Sequence, residues 1–453
     1  MKRLFIANRG EIAVRIIRAA QALGLETVLG ISTADRETMG AEMADRTVVL
    51  GPPAARDSYL NMAAIVHAAR ATGCDALHPG YGFLSERAPF ARLCEESGLA
   101  FVGPSADSIE RVGDKISARK LAEEAGVPLV PGTNHIVSVA NAKAAAEDVG
   151  YPVVMKASAG GGGRGMFVAP GPDEIEARFE RASEEARNAF GDGTLYMERY
   201  VGNARHVEVQ VMGDGKGTVL HFGERDCSAQ RRYQKVAEEA PAVILPAHAR
   251  TALHEAAIKL TSRINYRNAG TVEFLYDVDR EEFYFIEVNA RIQGEHPVSE
   301  AVTGHDLVQL QLRVAAGEGL SLRQSDIRVT GHAIELRVNA ENPAKNFLPS
   351  PGRITAWRPP EGAGFRLDSH CRAGYLVPPF YDSMIGKLIV HGTDRVDALR
   401  RAADALSAFQ IDGIMTNLGF QATLIRHPDF VANQFNTRWL EQVFLPSFSA
   451  AKE

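Results

Sequence analysis

The chain has 453 residues, of which 45% are hydrophobic, 23% charged and 7% aromatic. These are ordinary globular values, so they exclude a disordered, collagenous or disulfide-stapled chain, and the length predicts about three domains or one large domain with an insertion. The net charge of −6, from 50 basic and 56 acidic side chains, argues against a dedicated nucleic-acid-binding protein.

The sequence also indicates where the protein works. No apolar run approaches the roughly 18 to 20 residues that a membrane helix needs, and the apolar stretch after Met1 is too short for a secretory signal. The four cysteines lie far apart, without a Cys-x-x-Cys pair, so no local zinc site or disulfide framework is predicted. We therefore expect a cytoplasmic protein with no membrane and no nucleic-acid partner.

Residues 1–102 alternate short apolar strands with helices, which is typical of βαβ units and a parallel sheet. The predicted strands are 4–7, 27–31, 76–78 and 100–102, and the predicted helices are 11–23, 59–72 and 88–97. Ligands bind in loops at the carboxyl ends of such strands, here 8–11 and 78–83. Because residues 1–102 contain no G-x-G-x-x-G motif, this region does not predict a nicotinamide or flavin site.

The rest of the chain divides into three segments with different predicted secondary structure. Residues 103–128 predict a charged helical linker, residues 129–201 a small α/β unit, and residues 202–453 a larger antiparallel sheet that ends in two helices, at about 395–409 and 416–426. We therefore predict a division into 1–102, 103–128, 129–201 and 202–453.

A run of four glycines at 160–163, followed by Gly165, lies inside the small α/β unit. Glycines allow positive φ and bring bare backbone N–H groups close to a ligand, as phosphate binding requires. Alone, the run is better explained by a flexible hairpin turn. Lys156 before it and Arg164 within it favour a nucleotide lid, although no Walker A motif is present.

Two pairs of predicted strands carry polar side chains on one face. In 205–211 the alternation places His206, Glu208 and Gln210 together, and we expect that face to lie toward solvent. In the hairpin of 270–277 and 282–289, one register places Glu273 opposite Glu287, with Asn289 on the same face. Opposed carboxylates need a counter-ion, so this register predicts a Mg²⁺ site, while a slipped register predicts a solvated pair.

Dense polar stretches at 224–235 and 289–297 flank the same predicted sheet. Each is a charge run of the kind that usually forms a solvated surface. Because both lie beside the predicted metal site, they together predict an anion pocket next to a phosphate donor.

The sequence resembles the biotin carboxylases of the ATP-grasp superfamily over essentially its whole length. The shared motifs are Ile6-Ala7-Asn8-Arg9-Gly10-Glu11-Ile12-Ala13, His78-Pro79-Gly80-Tyr81-Gly82-Phe83-Leu84-Ser85-Glu86, Gly113-Asp114-Lys115, Lys156-Ala157-Ser158, Arg205-His206-Val207-Glu208, Glu224-Arg225-Asp226-Cys227-Ser228, Arg291-Ile292-Gln293, Glu295-His296-Pro297 and Tyr381-Asp382-Ser383-Met384-Ile385-Gly386-Lys387.

The resemblance implies an ATP-grasp fold of α/β and α+β class. Its parts are an N-terminal Rossmann-like parallel-sheet domain, a small glycine-rich lid and a C-terminal antiparallel-sheet domain. It implies an ATP-dependent ligase in which MgATP and bicarbonate give carboxyphosphate, whose carboxyl group passes to the ureido nitrogen of biotin. The implied cofactors are ATP and Mg²⁺ or Mn²⁺, with biotin as the carried substrate.

The resemblance also implies partners. The sequence has no Met-Lys-Met biotinylation motif, so we expect a biotin carboxyl carrier protein and a carboxyltransferase on separate chains, and the family implies a homodimer. An acetyl-CoA carboxylase of fatty acid biosynthesis is one such system. The final acceptor (acetyl-CoA, another acyl-CoA, pyruvate or urea) is chosen by the transferase and is not encoded in this chain.

The resemblance further implies roles for single residues. The implied ATP ligands are Lys115, Lys156 and His206 at the phosphates, Gly161, Gly162 and Gly163 in the lid, and Glu198, Gln230, Tyr233 and Leu275 around the nucleotide. The implied metal ligands are Glu273, Glu287 and Asn289. The implied bicarbonate pocket contains Lys235, Arg291, Gln293, Gly294 and Glu295, with Glu295 as the general base, and Arg337 stabilises the biotin enolate. Lys235, Arg291, Glu295 and Arg337 are the implied catalytic residues.

Three positions depart from the family pattern. Gly294 stands where valine is usual, Tyr233 where histidine is usual, and Arg199 where lysine is usual. For Arg199 we favour neutral drift. Glycine removes a wall of the pocket and loosens the loop, so we hypothesise weaker bicarbonate affinity or a reshaped pocket. Two other functions stay open: another ATP-grasp ligase that joins a carboxylate to an amine, and a catalytically weak regulatory paralogue.

Overall fold

A computed structural model describes residues 1–157 and 167–450. The chain forms two compact units. The first comprises Met1–Val127, Arg205–Leu275 and Ile286–Glu453, and the second comprises Pro128–Ala204 and Tyr276–Phe285. Among the described residues, no helix is both long and apolar enough to cross a membrane.

The first unit begins with a five-stranded parallel sheet in the order β3-β2-β1-β4-β5. Its strands are β1 (Arg3–Ile6), β2 (Glu26–Ser32), β3 (Arg46–Gly51), β4 (Ala76–His78) and β5 (Ala100–Phe101), and its helices are α1 (Gly10–Ala22), α2 (Met39–Met43), α3 (Met62–Ala71) and α4 (Ala88–Glu96). The predicted parallel sheet is confirmed. We missed β3, a half-exposed edge strand in which the apolar run of Val48, Val49 and Leu50 shows no alternation with polar residues.

Two further helices follow the parallel sheet, α5 (Ala106–Gly113) and α6 (Lys115–Glu124). Asp114 caps α6, since its side chain accepts a hydrogen bond from the backbone N–H of Ser117 at 2.8 Å. Lys115 is therefore the first residue of α6, and its side chain is exposed.

The second unit is a four-stranded antiparallel sheet, in the order β6-β9-β7-β8, with two helices. Its elements are β6 (Gly132–Ile136), α7 (Val139–Val149), β7 (Val153–Ala157), β8 (Phe167–Ala169), α8 (Ile175–Phe190) and β9 (Leu195–Arg199). Alanines of α7 and α8 line its core, where small side chains let helices pack closely on a sheet. The predicted lid glycines Gly161, Gly162 and Gly163 lie outside the described residues.

The largest sheet has eight strands in the order β14-β13-β10-β11-β12-β15-β22-β20. The elements from β10 onward are β10 (Ala204–Asp214), β11 (Val219–Arg231), β12 (Gln234–Ala240), α9 (Ala247–Ser262), β13 (Arg267–Asp277), β14 (Glu282–Asn289), α10 (His296–Thr303), α11 (Leu307–Ala315) and β15 (His332–Asn339). The following strands are β16 (Glu341–Asn342), β17 (Leu348–Pro349), β18 (Gly352–Arg353), β19 (Ala356–Arg358), β20 (Phe365–Ser369), β21 (Leu376–Val377), β22 (Met384–Gly392) and β23 (Gln410–Asp412).

The C-terminal helices are α12 (Arg395–Ala408), α13 (Leu418–Leu424), α14 (Pro428–Val431) and α15 (Leu445–Ala450), with a π-helical turn at Leu440–Phe444. Both predicted C-terminal helices are present, as α12 and α13. The prediction that the chain ends with them was wrong, because α14, the π-helical turn and α15 follow. The later helices are short and are held by aromatic packing, because Phe430, Trp439 and Phe444 are buried in one core. Such packing leaves no helical periodicity to detect in the sequence.

Candidate active site

The polar face of β10 is buried, so the expectation that it faces solvent was wrong. Glu208 and Gln210 are fully buried. Arg225 of β11 lies directly opposite Glu208 in the antiparallel register and donates to Glu208 at 2.6 Å and to Gln210 at 2.8 Å. A buried charge is tolerated when it is paired and hydrogen-bonded, and Arg225 supplies both conditions.

Lys235 of β12 stands at the centre of a cluster of carboxylates. Its ammonium group donates to Glu208 at 2.6 Å, to Glu273 at 3.2 Å and to Glu295 at 2.5 Å. Burial would lower the pKa of Lys235, but the Cys227 thiol and these carboxylates outweigh burial and raise the pKa well above its ordinary value. Lys235 therefore stays a fixed positive charge.

Glu295 immediately precedes α10 and is almost fully buried. One carboxylate oxygen accepts from Lys235, and the other accepts from Arg337 Nη2 at 3.0 Å. Burial alone would raise the pKa of Glu295, but the charges of Lys235, Arg337 and Arg225 hold it well below its usual range. Glu295 is thus an ionised carboxylate held between two cations, in contact with both.

Glu273 of β13 organises the neighbouring polar groups. It accepts from Asn289 at 2.9 Å and from Gln293 at 3.0 Å, and it lies 2.9 Å from His206 Nε2. Burial would lower the pKa of His206, but the charge of Glu273 raises it. The pKa of Glu273 is lowered in turn, because the charges of Lys235 and His206 outweigh its burial.

The family resemblance implies a divalent cation at Glu273, Glu287 and Asn289, and the residues present fit one. Strands β13 and β14 are neighbours, and the side chain of Glu287 is exposed on the cavity wall shared with Glu273. Desolvation, together with the charges of Glu273 and Glu86, raises the pKa of Glu287. A hard cation would relieve this repulsion through oxygen ligands of the kind that Mg²⁺ prefers.

Arg291 lies in the loop between β14 and α10. It donates to Glu86 at 2.9 Å, to Gln293 at 2.8 Å and to Asn289 at 3.0 Å. These contacts fix the guanidinium group beside the Glu273 cluster. The same loop contains Gly294, whose carbonyl accepts from the buried ammonium group of Lys387 at 2.6 Å.

These side chains line a cavity of about 730 Å³ within the first unit. Its wall includes Gln230, Tyr233 and Leu275, besides Lys235, Glu273 and Arg337. Tyr233 is 63% exposed and has a φ of 65°, in the tight connection between β11 and β12. Lys115 is near enough for its charge to lower the pKa of Glu287, against the effect of desolvation.

The second unit carries one more ion pair of predicted site residues. Lys156 of β7 donates to Glu198 of β9 at 2.6 Å, across adjacent antiparallel strands. The Lys156 side chain is 26% exposed, so its charge is accessible to an anion.

Models of known protein families match three consecutive parts of the chain. The biotin carboxylase N-terminal domain matches residues 1–109, the ATP-binding domain of the carbamoyl-phosphate synthase L chain matches 114–323, and the biotin carboxylase C-terminal domain matches 335–442. Biotin carboxylase 1 of Bacillus subtilis is 51% identical over 442 residues, which cover 97% of this chain and 98% of that protein. The chain belongs to the biotin carboxylase family.

Solved biotin carboxylases have the same fold. The Campylobacter jejuni biotin carboxylase, in a βγ-ATP complex, superposes with a TM-score of 0.88 at 46% identity and covers 97% of this chain and 98% of its own. The biotin carboxylase domain dimer of Hydrogenobacter thermophilus 2-oxoglutarate carboxylase, with MgADP, ADP and bicarbonate, gives a TM-score of 0.87 at 44% identity and covers 97% of each chain. The ATP-grasp fold predicted for this chain is confirmed.

The structure brings most of the predicted biotin carboxylase site together in the first unit. Hydrogen bonds and ion pairs link His206, Lys235, Glu273, Asn289, Arg291, Gln293, Glu295 and Arg337. Lys156 and Glu198 form their own pair in the second unit. The roles that the resemblance implies for these residues stay predictions.

Sequence reasoning assigned no role in the site to three residues that hold it in place. Glu208 fixes Lys235, Glu86 fixes Arg291, and Glu238 accepts from Arg337 Nε at 2.6 Å. A signal existed for Glu208, since β10 and β11 place opposite charges at facing positions, as a buried pair requires. Glu86 and Glu238 contact residues far along the chain, so local spacing carried no signal for them.

One contact argues against the hypothesis that Gly294 loosens its loop. The ammonium group of Lys387 donates a hydrogen bond to the Gly294 carbonyl and so restrains the backbone there. A Cβ at position 294 would meet Arg337 Nη2 at 3.6 Å and Tyr81 Cζ at 4.0 Å, which are ordinary van der Waals distances. The backbone at position 294 is not in the left-handed region that favours glycine. The backbone conformation and these distances therefore both allow a Cβ atom there.

Proposed function

We propose that this chain catalyses the MgATP-dependent carboxylation of biotin by bicarbonate, through carboxyphosphate. The position of Glu295 supports this function above all, because one ionised carboxylate contacts both Lys235 and Arg337. A base held by two cations suits a small anion that must lose a proton before it reacts.

Glu295 has the right charge for a base, but its cations compete with the proton. With Lys235 and Arg337 in contact, Glu295 is a weak acceptor. When bicarbonate draws either cation toward itself and adds its own negative charge, the pKa of Glu295 must rise toward the working range of a general base. Glu295 then removes the bicarbonate proton, and the resulting oxyanion attacks the γ-phosphoryl group of ATP. The new C–O–P bond of carboxyphosphate forms as the β–γ phosphoanhydride bond breaks and ADP leaves.

The phosphate end of the site requires positive charge more than covalent chemistry. We propose His206, Lys115 and Lys156 as phosphate ligands, and Glu273, Glu287 and Asn289 as ligands of the divalent cation. When bound, the cation supplies neutralising charge for the phosphate oxygens. Lys156 is paired with Glu198, so the phosphate would compete with a largely buried carboxylate for the partly exposed ammonium group.

Arg337 is proposed to serve the second half of the reaction, in which the biotin ureido nitrogen takes the carboxyl group. Its guanidinium is anchored by Glu238 and contacts Glu295. Burial would lower its pKa, but the charges of Glu238, Glu295 and Glu335 raise it, so the group is a permanent cation suited to a developing enolate.

We infer further that the carrier and the carboxyltransferase are separate proteins and that the chain forms a homodimer in the cytoplasm. One similar solved structure, at 44% identity, is described as the biotin carboxylase subunit of pyruvate carboxylase, and the Hydrogenobacter thermophilus structure is described as a dimer. An acetyl-CoA carboxylase of fatty acid biosynthesis is one system that such a protein would serve.

One assay tests the proposed function: ATP hydrolysis by the purified chain, with and without bicarbonate, and then with free biotin. We expect turnover that requires bicarbonate and rises with biotin, with carboxybiotin as the trapped product. Turnover that instead requires another carboxylate and an amine would replace this function with that of a carboxylate–amine ligase. A folded chain without turnover on any of these substrates would favour a regulatory paralogue.

A further inference from the structure

A second pair of carboxylates lies behind Arg337, and the proposed function does not use it. Glu238 of β12 and Glu335 of β15 are Cα partners in the antiparallel register. Both side chains are fully buried. Directly opposed side chains on one face of a sheet have Cβ atoms about 4.5–5.5 Å apart, so the two carboxyl groups are within reach of each other.

The cations around this pair already have partners. Arg337 donates to Glu238 and Glu295, and Lys387, opposite Arg337 on β22, pairs with Glu11 at 3.1 Å and donates to the Gly294 carbonyl. The two cations near Glu335, Lys387 and Arg337, thus already form hydrogen bonds or ion pairs with other groups. The carboxylates that face it are Glu238 and Glu295.

Three carboxyl oxygens of the pair are left over. Within residues 1–157 and 167–450, both oxygens of Glu335 and Oε2 of Glu238 contact no hydrogen-bond partner. Arg337 contacts only Glu238 of the pair, so two opposed, buried and ionised carboxylates would repel each other and Glu335 would lose its hydration without compensation. A single proton between them removes one charge and supplies the missing hydrogen bond.

We propose that Glu238 and Glu335 share one proton, and that this hydrogen-bonded pair positions Arg337 for the biotin half-reaction. Glu335 is the neutral member and donates to Oε2 of Glu238, while Oε1 of Glu238 stays ionised and accepts from Arg337. Glu335 is therefore a positioning residue two contacts away from the substrate. Its role in turnover rests on the proposed function, whereas the shared proton does not.

The direction of the pKa values agrees with this assignment. Burial and the charges of Glu238 and Glu295 raise the pKa of Glu335 well above its ordinary value, although Lys387 and Arg337 oppose them. Burial raises the pKa of Glu238 to about 7, and Arg337 limits the rise. The carboxyl that contacts the arginine is the more acidic of the two.

The shared proton is tested by infrared spectroscopy of the full chain in D₂O at neutral pH. We expect the carbonyl-stretch band of a protonated carboxyl group in the wild type and its loss in Glu335→Gln. Glu255→Gln is the matched control, because Glu255 is exposed and its substitution leaves the band in place. If the difference spectrum of Glu335→Gln showed the loss of an ionised carboxylate instead, the shared proton would be refuted.

The positioning role is tested by comparing Glu335→Gln with Glu335→Leu. The amide of glutamine can donate to Glu238 and leucine cannot, so we expect kcat/KM for biotin to fall about 10- to 100-fold in Glu335→Leu and to be largely restored in Glu335→Gln. Bicarbonate-dependent ATP hydrolysis without biotin should change less, because Lys235 still holds Glu295.

Equal loss in both variants would mean that Glu335 acts as a charge, and no loss in either would mean that it positions nothing. Either result overturns the positioning role. If Glu335→Leu fails to fold, the infrared spectrum of Glu335→Gln still decides whether the proton is shared. A wild type without biotin-dependent turnover would refute the proposed function and leave the infrared test intact.

Discussion

The two compact units differ in how deeply their charged side chains are buried and in how many partners those side chains contact. In the first unit, Lys235 contacts three carboxylates, and its side chain is 11% exposed. In the second unit, Lys156 has one carboxylate partner and its side chain is 26% exposed. Buried, multiply bonded charges are preorganised and costly to disturb, whereas a partly exposed pair exchanges partners at little cost. Substitution of a buried charge in the first unit should therefore lower activity or stability. Substitution of Lys156 in the second unit should affect only ligand binding.

The largest expected effect is that of Glu295→Gln, which keeps the size of the side chain and removes the base. Bicarbonate-dependent ATP hydrolysis should fall about 10²- to 10⁴-fold. ATP binding, measured by calorimetry, should be retained, because the predicted nucleotide ligands are untouched. Glu255→Gln serves as the exposed control. A rate near that of the wild type would show that another group takes the bicarbonate proton.

Acid should weaken the first unit through Glu239, which is buried and accepts from His332 and Arg395. Burial raises the pKa of Glu239, but His332 and Arg395 outweigh burial and lower it from 4.5 to about 2. Because the folded-state pKa is depressed, the stabilisation is present above about pH 4.5 and is lost as the pH falls toward 2; it amounts to about 3 kcal/mol.

This prediction is checked by urea unfolding of the wild type and Glu239→Gln, followed by tryptophan fluorescence. Both tryptophans, Trp357 and Trp439, lie in the first unit, so the signal reports that unit alone. The wild type should be the more stable at about pH 6, and the gap should narrow at about pH 3. A gap that does not change with pH would refute the assignment.

Lys156→Ala tests the second unit. We expect KM for ATP to rise about tenfold, while the free energy of unfolding changes by less than about 1 kcal/mol, since partly exposed pairs contribute little to stability. Lys143→Ala is a matched control, because Lys143 forms an exposed pair with Glu176 at 2.8 Å in the same unit. If both variants bind ATP like the wild type, Lys156 is not a phosphate ligand.

The smallest effect is expected for Gly294→Val. A Cβ atom there would lie at ordinary van der Waals distances from Arg337 and Tyr81. We expect KM for bicarbonate to fall by about fourfold, equivalent to burying one CH₂ group, with stability unchanged. Gly419→Val is the control, because a Cβ at Gly419 meets nothing within 4 Å. An unchanged KM and an unchanged biotin-dependent rate would end the hypothesis that Gly294 reshapes the pocket.

Sequence patterns predicted the parallel sheet because β1, β2 and β4 are buried and apolar, so each strand is visible locally. They failed at β10, where the alternation was correct but the burial of Glu208 depends on Arg225 of another strand. The cluster around Glu295 joins residues as far apart as His206 and Arg337, which are 131 positions apart and which no spacing rule connects. The division at 102, 128 and 201 stays a prediction.

The contact between Lys387 and the Gly294 carbonyl has an evolutionary consequence. Lys387 lies in β22, more than ninety positions away, and it donates a hydrogen bond to the main-chain carbonyl of residue 294, so the contact does not depend on the side chain there. The shape of the loop is thereby inherited separately from the residue at 294. We therefore expect that the residue at position 294 can be exchanged without moving the backbone beside Glu295, because Lys387 holds the carbonyl of any residue placed there.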